Sequence, residues 1–295
     1  MSPPDQKPDY VEPIVKYYDG TWFDYRVVWM RNLGMHWGYW DDRTRNHAQS
    51  LLNMTRALAD LGDLRPGMRV LDAGCGVGGP ALWLAATYGV EVLGITLSEV
   101  QLGRARKYAA KRHLDDKVHF EIADFTALPY GDASFDAVWA QESVCHVPSD
   151  GKQAFLRESA RVLKPGGRLL MEDWFRIDRP YPGDGEELMH EWLKGWAIED
   201  LATSDEIVAW SEAVGLTDVR LRNITPYAFK SIRRLRRLAL WSSPGALLLH
   251  GLHLRSDIEQ ANLRSARLQW QTYKRNYWLI GLLAASKPQA AASES

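Results

Sequence analysis

Residues able to do chemistry gather at a few places in the sequence. The run DAGCGVGG sets Asp72 ahead of Gly74, Gly76 and Gly78. Glycines at this spacing permit positive φ and let the backbone approach a ligand with no Cβ in the way. An acid at the head of the run would repel a pyrophosphate but can receive an ammonium. About twenty residues on, a nucleotide-binding α/β unit usually carries an acid for ribose hydroxyls. Here GITLSEVQ ends its apolar run on Thr96, with Gln101 close behind. Asp124 follows a third apolar run, where an acceptor can take an adenine amino group. AQESVCHVP brings Gln141, Glu142 and His146, and MEDWF brings Asp173. Histidine titrates near neutrality and can act as a general base, which makes His146 the first candidate and Glu142 and Asp173 alternative bases or orienters.

The elements that must hold these residues are legible as runs. Met68–Leu71, Val90–Ile95, Val118–Ile122, Ala137–Ala140, Leu169–Glu172, Val219–Asn223 and Leu279–Ser286 read as buried strands. Helical patterns at Pro80–Tyr88, Glu99–Arg112 and Lys152–Leu163 fill gaps between them, so a parallel sheet covered on both faces is expected. Ligands bind beyond the carboxyl ends of such strands, which is where the candidates fall. Gln101 keeps two readings: a ribose contact, or the fourth position of an S-x-x-Q capping box begun by Ser98.

The glycines satisfy both G-x-G-x-x-G, a dinucleotide pattern, and acid-x-G-x-G-x-G, the pattern of S-adenosylmethionine binding. Asp72 favours the second. DFTALPYGDASFDAV and RVLKPGGRLLMED, with a Pro165–Gly166–Gly167 turn before the fifth strand, follow in order. These blocks, from Leu64 to Trp174, resemble the class I S-adenosylmethionine-dependent methyltransferases. GITLSEVQ followed by ESVCHVP is similar to the branch of tocopherol, sterol and cyclopropane-fatty-acid-type enzymes. The resemblance implies an α/β Rossmann-like sheet of seven strands with helices on both faces. It also implies S-adenosylmethionine as cofactor, held by Tyr18, Asp72, Gly74, Gly76, Gly78, Thr96, Leu97, Gln101, Asp124, Phe125 and Gln141. Thr96 and Gln101 would share the ribose.

Two regions lie outside the alternation. Residues 1–62, rich in aromatics at YYD, TWFDY and MHWGYW, resemble the Y-D and H-x-G-Y blocks of that branch and read as a lid, although Tyr17 stands where several relatives have His. The core is assigned to 63–225, a helical cap insertion to 226–277, with Ser256 and Glu259 as a capping box, and the last strand to 278–288. A disordered tail is expected at 289–295. Tyr39, Trp174, Trp192 and Trp196 are candidates to shelter a lipophilic acceptor and a developing cation. The basic face of SIRRLRRLALW, with Arg233 and Arg237 as candidate ligands, would suit a prenyl diphosphate, a solvated surface or a membrane surface.

The chain has 295 residues, 36 basic against 37 acidic, and two cysteines. That balance gives no support to nucleic acid as a partner. The cysteines fit a reducing compartment, and no apolar segment reads as a signal peptide or membrane span, so a cytoplasmic protein is expected. No metal site is expected, since His250 and His253 alone offer too few ligands. A homodimer is compatible with the aromatics. The leading expectation is C-methylation of an isoprenoid or prenyl diphosphate. Its alternatives are O- or N-methylation of an aromatic, indole or polyketide product, an NAD-dependent oxidoreductase and a non-catalytic cofactor-binding module.

Overall fold

All seven apolar runs form strands of one sheet in the computed structural model, which describes residues 8–289. The expected tail at 289–295 lies outside them except for Gln289. The strands are β1 (Arg69–Ala73), β2 (Glu91–Thr96), β3 (Val118–Ile122), β4 (Phe135–Gln141), β5 (Leu163–Arg176), β6 (Thr217–Asn223) and β7 (Trp278–Ser286), ordered β3-β2-β1-β4-β5-β7-β6. Alternation along a strand sends neighbours to opposite faces. Val70, Trp139 and Leu170 thus join one core while Leu71, Val138 and Leu169 join the other.

The helices are α1 (Val11–Gly20), α2 (Trp22–Asp24), α3 (His47–Ala59), α4 (Gly79–Tyr88), α5 (Glu99–Lys111), α6 (Ser149–Val162), α7 (Gly185–Lys194), α8 (Ser204–Ala213), α9 (Thr225–Gly251) and α10 (Asp257–Lys274). Ser256 and Glu259 make the expected reciprocal capping box at the start of α10.

Two expectations need correction. The sheet is mixed, because β7 runs antiparallel to both β5 and β6. α9 and α10 form a hairpin that returns the chain to the end of the sheet where β6 left it, so the next strand must run the other way. The Pro165–Gly166–Gly167 run is not a separate turn before a fifth strand. It lies inside β5, where pairing with β4 shifts register between Leu163 and Arg168.

Candidate active site

Beyond the carboxyl ends of β1, β2 and β4, one cavity is lined by Asp72, Gly74, Gly76, Thr96, Leu97 and Gln101, and by Phe125, Gln141 and Tyr18. Gly74 has φ +92 and lies so close to Ser143 that a Cβ would sit 2.4 Å from the serine Cβ. Its backbone therefore reaches the cavity only as glycine. Asp72 is buried and its Oδ2 has no hydrogen-bond partner. Burial pushes its carboxyl up to about 7. Gln141 Nε2 is likewise buried and unpartnered.

Thr96 donates its hydroxyl to Gln101 Oε1 at 2.7 Å, and both side chains are buried at the cavity. Ser98 Oγ accepts the Gln101 backbone amide at 3.1 Å, but the Gln101 side chain turns to Thr96 instead of back to Ser98. Only half of the capping box is made. Gln101→Ala is therefore expected to keep the Ser98 cap and lower melting little. Cofactor affinity should fall by about 0.5–1.5 kcal/mol, the worth of an ordinary hydrogen bond. Calorimetry with S-adenosylhomocysteine, set beside a melting curve, separates the two effects.

Several candidates stand elsewhere. Asp124 does not line the cavity; its carboxylate accepts Tyr10 Oη at 2.5 Å and the Thr126 amide and hydroxyl at 2.8 Å. Gly78 shapes the turn as the left-handed N-cap of α4 and also lies outside the lining. Asp173 does not line this cavity either. Its two oxygens accept the backbone amides of Val144, Cys145 and Trp174 at 2.8–3.0 Å, which fixes the turn carrying His146. Tyr39 stacks on Tyr227 at 4.3 Å, away from the cavities.

A second cavity, of about 430 Å³, opens between the N-terminal segment and the α9–α10 hairpin. Its walls are mostly apolar: Trp37, Trp174 and Trp196 meet Leu235, Leu238 and Leu263. Trp192 supports this wall from behind, stacked on Trp174 at 5.5 Å and on Trp278 at 5.1 Å. Its charged lining side chains include Arg255 and Asp24, which pair with each other at 2.6 Å. Arg233 and Arg237 are exposed on the outer side of α9 and line neither cavity. The helix period explains it, because Leu235, Leu238 and Ala239 occupy the inward stripe.

Met35, His36 and Glu142 line both cavities. His36 lies in the MHWGYW block that sequence reasoning treated only as lid. Its Nδ1 is 2.9 Å from the Trp37 carbonyl and must donate there, which leaves Nε2 with a lone pair. Burial lowers its pKa to about 4, so the imidazole is neutral. Glu142 follows β4 with φ +48, a conformation in which non-glycine residues are strained. Burial pushes its carboxyl up to about 8, against the pull of the Trp37 amide that donates to Oε1 at 2.5 Å. His146 differs from His36. Its Nδ1 donates to the Ala197 carbonyl at 3.3 Å, and its Nε2 is already taken by Tyr18 Oη at 2.7 Å.

Known proteins match this arrangement. Residues 70–167 match a family described as a methyltransferase domain. A 27-O-demethylrifamycin SV methyltransferase of Amycolatopsis mediterranei is 40% identical over 201 residues, 68% of this chain and 72% of that one. The chain belongs to the S-adenosylmethionine-dependent methyltransferases. A 24-methylenesterol C-methyltransferase 2 of Oryza sativa subsp. japonica is 36% identical over 205 residues, 67% of this chain and 55% of that one. The [4+2]-cyclase SpnF superposes with a TM-score of 0.79 at 26% identity, over 96% of this chain and 98% of that one.

The methyltransferase cofactor suits the residues present. Asp72 Oδ2 is a buried acceptor with no partner, matched to an ammonium, and Gln141 Nε2 is a buried donor matched to an oxygen. Thr96 and Gln101 offer hydroxyl and amide groups to vicinal hydroxyls. When bound, S-adenosylmethionine supplies a methyl group on a sulfonium, open to in-line attack. The methyltransferase acts on small molecules, and among its described residues no helix is long and apolar enough to cross a membrane.

Proposed function

We propose that the enzyme methylates a hydroxyl oxygen of a bulky, neutral, lipophilic metabolite, with His36 as general base. The observation that carries this reading is the junction: His36 lines both cavities and presents a neutral imidazole whose Nε2 lone pair has the Thr55 hydroxyl as its neighbour. That hydroxyl is 3.4 Å from Nε2, at the edge of hydrogen-bonding range, and donates to Gln141 Oε1 at 3.3 Å. The apolar walls exclude water and orient the acceptor, while His36 Nε2 receives the hydroxyl proton. The Trp37 main chain holds both catalytic candidates, accepting from His36 and donating to Glu142. The curated relative that acts on demethylrifamycin is named for methylating an oxygen, which supports the same reading.

C-methylation of an isoprenoid is the second reading. The indole faces of Trp37, Trp174 and Trp196 around the cavity favour it, since they would stabilise a carbocation. A prenyl diphosphate as the form of that isoprenoid loses the support of the arginines, which face outward. Supplying methyl-labelled cofactor with hydroxylated macrocycles, sterols and prenyl diphosphates tests the proposal. Labelled product from the neutral hydroxylated compounds is expected. Turnover of prenyl diphosphates alone, with a KM raised by Arg233→Gln or Arg237→Gln, would restore the diphosphate reading.

The pH profile separates the two candidate bases. With His36 as base, kcat is expected to be level between the two shifted values, about 4 and about 8, because the imidazole is neutral throughout. Glu142, held protonated below about 8, would instead make kcat climb roughly tenfold per pH unit towards that value. Glu142→Gln mimics the protonated acid and is expected to retain turnover at neutral pH. Its complete loss would transfer the base to Glu142.

A further inference from the structure

The outer side of the α9–α10 cap carries a surface that methyl transfer does not use. Among the described residues, eleven of the thirteen large hydrophobic side chains that remain exposed lie on α9, on the turn after it, or on the Phe23–Val28 stretch beside it. Trp241 is 86% exposed, Leu248 65% and Phe23 67%. At 100° per residue, Arg233, Arg236 and Arg237 share one stripe of α9 with Leu240, Leu247 and Leu248. The stripe is thus cationic in its first half and apolar in its second. The helix holds five arginine or lysine residues and no acid. Among the acids closest to its far end, Asp24 and Glu259 are held by Arg255, and Asp257 lies 3.6 Å from His250.

We propose that this face docks on the surface of an anionic phospholipid bilayer. The leucines and Trp241 enter the acyl boundary, and the arginines meet lipid phosphates. Charge selects this occupant over a second copy of the chain, since two such helices would bring like charges together. The position of the cavity agrees. Trp241 and Val28 line the apolar cavity and are also exposed, so its mouth opens within the proposed contact surface. The proposal concerns the surface alone and stands whichever acceptor atom is methylated.

Vesicle sedimentation tests it with the full chain. The protein is expected to sediment with phosphatidylcholine vesicles containing phosphatidylglycerol, far less with pure phosphatidylcholine, and less as salt is raised. Replacing Leu247 and Leu248 together by Glu is expected to lower binding at least about tenfold. Arg236→Gln with Arg237→Gln should lower it roughly 25-fold, each arginine contributing about fivefold. None of these four positions lines a cavity, so an unchanged affinity for S-adenosylhomocysteine checks that the variants are folded. Brominated lipids should quench wild-type fluorescence more than that of Trp241→Phe. Absence of binding to anionic vesicles, or equal binding by the folded variants, overturns the proposal. So does a dimer that the leucine variant dissociates while vesicles fail to bind, which would assign the face to a second copy.

Discussion

His36→Asn is expected to lower kcat by roughly 10²- to 10⁴-fold, the usual contribution of a positioned general base. Asparagine can still donate to the Trp37 carbonyl but offers no basic nitrogen to the junction. Affinity for S-adenosylhomocysteine should change only a few fold. Added imidazole should recover part of the activity, because the adjoining cavity of about 430 Å³ can admit it. His146→Asn should cost much less, since His146 Nε2 already accepts from Tyr18. Single-turnover rates for both variants decide the matter, and the reverse ranking would make His146 the base. Gly34→Ala gives an independent check. A Cβ there would stand 2.8 Å from His36 Nε2, so kcat should fall although the imidazole remains.

Asp72→Asn should weaken S-adenosylhomocysteine binding by about 1.5–3 kcal/mol, the range for a hydrogen bond to a charged group. The same change should raise the melting temperature of the free protein above about pH 7. The sign follows from the direction of the shift. Burial raises the Asp72 pKa to about 7 in the folded state, above the ordinary carboxylate value. Folding therefore favours the protonated acid. The resulting penalty grows as pH rises from the unfolded value through about 7, and is fully present above it. Asparagine does not ionise and escapes it. Wild-type affinity should accordingly decline about tenfold per pH unit below about 7, where binding must first expel a proton, and level off above. Calorimetry in buffers of different ionisation enthalpy reads that proton directly. Loss of stability together with unchanged affinity would assign Asp72 to structure alone.

The two halves of the site differed in how far they could be read from sequence. Asp72, Gly74, Thr96 and Gln141 sit at or just beyond the ends of strands that local patterns reveal, Gln101 stands in the first turn of the helix after β2, and their distance from one another is set by the sheet. Position within that pattern was enough to bring them to one cavity. Asp124 shows where local reasoning stops. It follows β3 as expected, yet its carboxylate is taken by Tyr10, 114 residues earlier in the chain. Asp173 likewise ends up satisfying three backbone amides. The acceptor side depends on packing between distant segments. Trp174 and Trp196 face the cavity while Trp192 backs them, a distinction that composition cannot make. His36 stands in MHWGYW, but its place at both cavities follows only from where that segment crosses between them. Of the four arginines in SIRRLRRLALW, Arg233, Arg236 and Arg237 share one exposed face of α9, whereas Arg234 is half-buried and donates to the Val28 carbonyl. Which way that face points was set by α10 and the N-terminal segment.

The most direct test of the account is to locate the transferred methyl. Wild-type enzyme, given cofactor carrying a 13C-methyl and a neutral hydroxylated acceptor that it turns over, should yield a product whose labelled carbon resonates as a methoxy group. His36→Asn should form that same product far more slowly. A labelled methyl bonded to carbon, or a His36→Asn variant as fast as wild type, would contradict oxygen methylation with His36 as its base.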